Sequence, residues 1–202
     1  KAMEGQGSLF DMFNNPTQEA VVEVVAESSE ESPFATVATT AHTYTTVRDI
    51  TTLRSVVEQC MNCNTLCFDL ETSGLDIFTS RIVGISLAVE PHKAWYIPLT
   101  IGSDRNATES SYAAVLKPLF ECEKIVKVGQ NMKFDILFLR TLGIEVKGLK
   151  GDTMLMHYLL DPEARHGMDA LAERYLNYSP IPIEALIGKG AQQITMDMVG
   201  ID

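Results

Sequence analysis

Thr65-Leu66-Cys67-Phe68-Asp69-Leu70-Glu71-Thr72 is the stretch on which the reading of this chain turns. In an extended backbone residues i and i+2 face the same side, so Asp69 and Glu71 project together while Phe68 and Leu70 project from the opposite face. Two carboxylates held that close repel each other unless a cation lies between them. A hard divalent ion suits the pair, since Mg²⁺ is bound through one or two carboxylates and commonly meets a substrate phosphate as well.

Working outward, residues 82–89 and 94–98 are further strand-like runs, and Gly74, Asp76, Pro91 and His92 supply the turns. Three short strands on short connections predict an antiparallel meander. Upstream, residues 43–47 read as a short strand, and Ile50, Leu53, Val56, Val57 and Cys60 recur at helical spacing. Beyond a loop at 102–110, the pattern predicts a helix over 112–120, a buried strand over 124–128, a helix over 132–142, a strand at 144–146, and helices near 152–160 and 168–175. Strands first, then strand and helix in alternation, give an α/β fold with a mixed sheet covered by helices.

Residues 1–41 differ from the rest: valines alternate with glutamates, and a polar run leads into a Thr-rich one. They read as an acidic, largely disordered linker, with the valine patch at 21–25 a candidate extra strand or turn, and residues 42–202 form the domain. The 202 residues carry 27 acidic and 16 basic side chains, a formal net charge of -11. That is unusual for a free-standing nucleic-acid binder, since phosphate binding is driven largely by Lys and Arg, so with a nucleic-acid substrate metals or a neighbouring domain must assist. No apolar run approaches the roughly 18 residues of a membrane span, and the first residues lack the pattern of a signal peptide. Cys60, Cys63 and Cys67 have a spacing that invites a metal site, but Cys67 lies inside the strand and Cys122 is remote. Reduced thiols in a cytoplasmic protein are the favoured reading.

A second acidic site follows the strand at 124–128. In Gly129-Gln130-Asn131-Met132-Lys133-Phe134-Asp135, Asn131 and Asp135 are four apart and share a helix face near the first turn. Asn131 also suits a helix N-cap, and Asp135 a first-turn acid complementing the helix dipole. Phe68-Asp69-Leu70-Glu71-Thr72 resembles the first motif of DnaQ-like 3'-5' exonucleases, and Asn131-x-x-x-Asp135 resembles their second. The wider wording is similar to the proofreading domain of bacterial DNA polymerase I: Leu116-Lys117-Pro118-Leu119, Lys127-Val128-Gly129-Gln130-Asn131, Asp152-Thr153-Met154-Leu155, and Met168-Asp169-x-Leu171-Ala172-Glu173-Arg174-Tyr175-Leu176.

The resemblance, which runs from about residue 43 to the end, implies an RNase H-like fold with a five-stranded mixed sheet whose first three strands are antiparallel. It implies that Asp69 bridges two Mg²⁺ or Mn²⁺ ions, that Glu71 completes part of the water-activating site, and that Asp135 holds the second ion largely through water. Two such ions about 3.5 to 4 Å apart stabilise the attacking and leaving oxygens of an in-line displacement, which here releases nucleoside 5'-monophosphates from a DNA 3' end. Thr72, Leu75, Gln130, Asn131 and Phe134 match substrate-contacting positions, Leu75 as a wedge against the terminal bases. Leu75 also reads as an ordinary turn leucine, and Ile183 falls where a relative carries a stacking aromatic residue. The implied partners are the DNA 3' end and a polymerase domain of the same protein, in a monomer.

The family's third motif, Tyr-x-x-x-Asp or a His five residues before an Asp, occurs nowhere in the chain. Tyr158 with Asp161 and His166 with Asp169 are each three apart, and Asp169 reads as a helix-start acid. The expectation is therefore a piece of a longer polymerase, truncated before that motif and weak as a nuclease by itself. A ribonuclease D-like exoribonuclease shares the acidic motifs, and a non-catalytic scaffold is the third possibility. In the tail, Gln6-Gly7-Ser8-Leu9-Phe10 resembles the short Gln-x-Ser-Leu-Phe peptides that dock on the bacterial sliding clamp, its two adjacent apolar anchors suiting a hydrophobic groove.

Overall fold

The computed structural model describes residues 33–101 and 104–201. The elements run β1 (Thr43–Thr46), α1 (Ile50–Met61), β2 (Thr65–Thr72), β3 (Ile82–Glu90), β4 (Lys93–Pro98), α2 (Arg105–Glu121), β5 (Val126–Gly129), α3 (Met132–Thr141), β6 (Leu149–Asp152), α4 (Thr153–Leu160), α5 (Met168–Leu171) and α6 (Ile183–Ile187). A π-helical turn, Ala172–Leu176, continues α5, and two 3₁₀ turns, Gly190–Gln192 and Met196–Met198, follow α6.

One sheet in the order β1-β4-β3-β2-β5-β6 joins these strands. The expected meander is there: β2 pairs antiparallel with β3, and β3 with β4. β5 adds to β2 in parallel and β6 adds to β5, with α3 as the crossover that a parallel pair requires. The strand count is six rather than five, because β1 runs parallel to β4 with Thr43 opposite Lys93 and closes the far edge. Residues 144–146 are not a strand. Ile144 and Val146 bury their side chains in the core, and the pairing with β5 falls to Leu149–Asp152.

Leu66, Phe68 and Leu70 enter the core from one face of β2, opposite Leu87 and Ile85 of β3. Leu53, Val56 and Cys60 of α1 and Leu116, Leu119 and Phe120 of α2 cover that face, and the Phe120 ring meets Phe68 edge-on at 5.1 Å. Each such fully buried side chain contributes about 1.5–3 kcal/mol. Asp49 starts α1 by accepting the N–H groups of Thr51 and Thr52, both at 2.9 Å. Asp104 likewise caps α2, which therefore begins at Arg105, inside the segment expected as loop.

Of the segment read as linker, residues 33–41 are described. Ala35 forms a parallel bridge with Tyr178, its N–H donating to Asn177 at 2.9 Å and its carbonyl accepting from Ser179 at 2.8 Å. The valine patch at 21–25 and the peptide at 6–10 lie outside the described residues. The four cysteines are free, and among the described residues no helix is long and apolar enough to cross a membrane.

Candidate active site

The site lies where β2 runs past its parallel neighbour. The β2–β5 ladder ends at Cys67 opposite Val128, whereas β2 continues to Thr72. Beyond that rung the chain leaves β5 through Gly129 and enters α3. A Cβ on Gly129 would stand 2.9 Å from the Met132 side chain and 3.0 Å from the Phe68 carbonyl, so the turn needs glycine there. Asn131 adopts φ +56°, a left-handed conformation uncommon for a residue with a side chain.

Asn131 occupies the N-cap position of α3, yet its side chain makes no capping bond. The start of α3 is held from outside: the Asp152 carboxylate accepts the N–H of Asn131 at 3.0 Å and that of Met132 at 2.9 Å. The same carboxylate caps α4 by accepting from Met154 at 3.0 Å and Leu155 at 3.3 Å. Asp152 thus ties β6, α3 and α4 together, and its oxygens are committed to backbone donors.

Asp69 and Glu71 lie half-buried on the face of β2 opposite the core, and α3 brings Asp135, only 3% exposed, to the same strand end. Burial pushes the Asp135 carboxyl up to about 7, with the charge on Asp69 the next cause and those on Asp152 and Glu71 adding to it, while the Leu70 N–H opposes them. The Asp69 and Glu71 carboxyls are also raised by burial; the Leu70 N–H counteracts it at Asp69, and the Asp69 charge adds to it at Glu71. Asp69 is therefore the electrostatic centre of the trio. Among the described residues no three His, Cys, Asp or Glu side chains converge into a cluster able to hold a metal ion. The donor chemistry nonetheless fits a hard cation: oxygen ligands whose mutual repulsion and burial would be relieved by positive charge.

The other expected site residues lie at the end of β2 and in the loop after it, and around the start of α3. Thr72 donates its hydroxyl to the Gly74 carbonyl at 2.9 Å and shapes the loop after β2. Leu75 in that loop is 84% exposed. Gln130 donates to the His166 carbonyl at 2.7 Å and accepts from the Thr153 hydroxyl. Asn131 is exposed, whereas Phe134 is half-buried with its ring 4.9 Å from Phe138. An apolar cleft of about 480 Å³ opens beside Asp69 and Gln130, lined by Met156, Leu160, Met168 and Tyr175 among others.

Sequence reasoning passed over three contributors. Asp152 was unreadable as a clamp because its partners are 20 and 21 residues away. Phe78, in the same loop as Leu75, is 91% exposed, while its neighbour Ile77 packs on the core. Tyr96 lies close enough to Glu71 for that charge, after burial, to raise the phenol's pKa.

Residues 44–200 match the family profile described as 3'-5' exonuclease. DNA polymerase I of Rhizobium leguminosarum is 35% identical over 190 residues, which cover 84% of this chain and 19% of that protein. DNA polymerase I of Pseudomonas aeruginosa is 41% identical over 143 residues, covering 68% of this chain and 16% of that one. The chain spans less than a fifth of the length of these curated relatives. Among solved structures, the catalytic core of RRP6 from Trypanosoma brucei has the same fold, with a TM-score of 0.60 at 13% identity over 81% of this chain and 41% of that one. With two acidic motifs on β2 and α3 of an RNase H-like sheet and a profile match over most of its length, the chain belongs to the 3'-5' exonuclease family represented in bacterial DNA polymerase I.

Proposed function

We propose that this chain is the proofreading module of a DNA polymerase I, hydrolysing the 3'-terminal phosphodiester of DNA and releasing nucleoside 5'-monophosphates. The observation that supports the reading is the placement of Asp69 and Glu71 on one face of β2 with the buried Asp135 of α3 near enough for the Asp69 charge to act on it, an arrangement that a cation would have to draw together. Asp69, Glu71 and Asp135 would hold two divalent ions, Mg²⁺ or Mn²⁺. When bound, such ions supply the positive charge that activates a water and stabilises the leaving oxygen.

The protein's own part is placement. Asp69 and Glu71 fix the position of the scissile phosphate by alternation on one strand, and the Asp152 clamp on the start of α3 fixes where Asp135 stands. Leu75 and Thr72 lie on the path of the terminal nucleotide, with Gln130, Asn131 and Phe134 on the α3 side. Separating the last bases from a template costs a few kcal/mol, and least at a mismatch, so a wrong 3' terminus reaches the carboxylates more often. With a net charge of -11, most of the cationic DNA surface comes from a polymerase domain of the same cytoplasmic protein. Residues 6–10 add a docking peptide for the sliding clamp.

The test is Mn²⁺ binding to the chain, together with 3'-5' degradation of a 5'-labelled single-stranded oligonucleotide as DNA and as RNA. Weak Mn²⁺ binding and slow shortening of DNA, both removed by Asp69→Ala, are expected, since three carboxylates form an incomplete two-ion centre. Mn²⁺ binding indifferent to Asp69→Ala overturns the site, and preferential shortening of RNA overturns the substrate.

A further inference from the structure

Tyr96 on β4 is separated from Glu71 on β2 by a whole strand, yet its side chain crosses that strand. Glu71 is the register partner of Gly84 on β3, while Tyr96 is opposite Ser86. A Cβ placed on Gly84 would overlap the Tyr96 ring, and the phenolic oxygen is the atom nearest to that position. The phenol therefore fills the place of a side chain at 84. Directly opposed residues of an antiparallel pair have Cβ atoms about 4.5–5.5 Å apart, so the Tyr96 oxygen, sharing the place of a side chain at 84, stands on the same face as Glu71 and beside it.

Glu71 and Tyr96 also line one open cavity of about 320 Å³, together with Leu186, Met196, Val199 and Ile201. That space admits ordered water, and a polar pair beyond direct hydrogen-bonding range is commonly bridged by one. Among the described residues no protein group hydrogen-bonds the Tyr96 hydroxyl. A ring lying over a strand glycine has an explanation in covering bare backbone. The hydroxyl has none there, because phenylalanine would cover the glycine equally well.

We propose that Tyr96 is a positioning residue for Glu71: its hydroxyl, delivered across Gly84, holds the Glu71 carboxylate through one bridging water and fixes the direction in which it faces the Asp69 side. The inference rests on the reading of Asp69 and Glu71 as cation ligands. Tyr96→Phe removes the hydroxyl and keeps the ring.

Mn²⁺ titration of the 202-residue chain, followed by the electron spin resonance of the free ion, reads the effect directly, with thermal unfolding in parallel. Tyr96→Phe is expected to weaken Mn²⁺ binding about three- to tenfold, the scale of one modest hydrogen bond, at an unchanged melting temperature. In a Glu71→Gln background the same substitution is expected to change nothing further. Binding by Tyr96→Phe within about twofold of the parent overturns the proposal, as does an undiminished loss in the Glu71→Gln background. A weakened affinity that comes with a lowered melting temperature overturns it too, assigning the hydroxyl to structure. If the parent binds Mn²⁺ and Asp69→Ala abolishes it while Tyr96→Phe is silent, the inference alone falls. If Asp69→Ala makes no difference, the reading of the site falls with it.

Discussion

Asp152 fixes the backbone of Asn131 from 21 residues away, its carboxylate accepting the Asn131 N–H at 3.0 Å while its second oxygen takes that of Met132. A left-handed residue at the mouth of a helix is thus stabilised by a neighbouring strand rather than by its own side chain. Asp152→Ala strands four backbone donors at two helix starts and is expected to cost about 2–3 kcal/mol, measured by urea denaturation. Asp152→Asn, which keeps one acceptor oxygen, is expected to recover part of that.

Stability should depend on pH through Asp135. Its folded carboxyl titrates near 7, against 3.8 as the reference. A group raised on folding contributes stability that is fully present below its unfolded pKa and is lost as pH rises through the folded one. The contribution is therefore complete below about pH 4 and gone above about pH 7, a change on the order of 4 kcal/mol. Asp69 and Glu71, also raised, act in the same direction. Asp49, lowered by its hydrogen bonds from Thr52, acts in the opposite sense and only as pH falls below 3.8. Urea midpoints of Asp135→Asn are expected to be flatter between pH 4 and 7, and higher at pH 8, than those of the parent. Mn²⁺ at pH 8 should raise the midpoint of the parent more than that of the variant.

Gly84→Ala tests the packing of the Tyr96 ring. The new methyl overlaps the ring, which must move, at a cost of about 1–3 kcal/mol. In a Tyr96→Ala background the same substitution should cost markedly less, and a double-mutant cycle by thermal denaturation measures the difference.

Leu75 and Phe78 protrude from the loop after β2. The loop neck is pinned, since the Ser73 N–H donates to the Arg81 carbonyl at 2.9 Å and the Arg81 N–H to the Ser73 hydroxyl at 3.0 Å. Phe78→Ala should weaken binding of a single-stranded oligodeoxynucleotide about tenfold, the scale of one lost stacking contact. Stability should change by no more than about 0.5 kcal/mol, as both side chains are exposed. Leu75→Ala should act the same way but less strongly, and fluorescence anisotropy measures both.

For the tail, Leu9→Ala and Phe10→Ala should each abolish binding to the bacterial sliding clamp, followed by titration against the purified clamp. Binding left unchanged by both would reduce the match at residues 6–10 to coincidence.

The sequence discloses those parts of this fold in which neighbours along the chain decide the outcome. Alternation in β2 is enough to place Leu66, Phe68 and Leu70 inside and the two acids outside, and helical spacing is enough for α1. Leu149-Lys150-Gly151-Asp152 carries almost no strand signal of its own and becomes β6 only because β5 offers it a parallel edge. Ile144 and Val146 look like a strand but spend their hydrophobicity on the core without pairing. At the site, the residue types of Asp69, Glu71 and Asp135 were readable. The Asp152 clamp and the placement of Tyr96 over Gly84 were not, because each depends on contacts that cross between elements.

The end of the β2–β5 ladder at Cys67 has a consequence for how this architecture tolerates change. Past that rung the Phe68 carbonyl faces the Gly129 turn, and the Leu70 N–H is left to the carboxylates of Asp69 and Asp135. In the proposed function, chemistry occupies the position where the lattice of backbone bonds stops, and the length of β5 then becomes a functional quantity. Two more residues of perfect β pairing would make a better sheet and leave no place for a reaction.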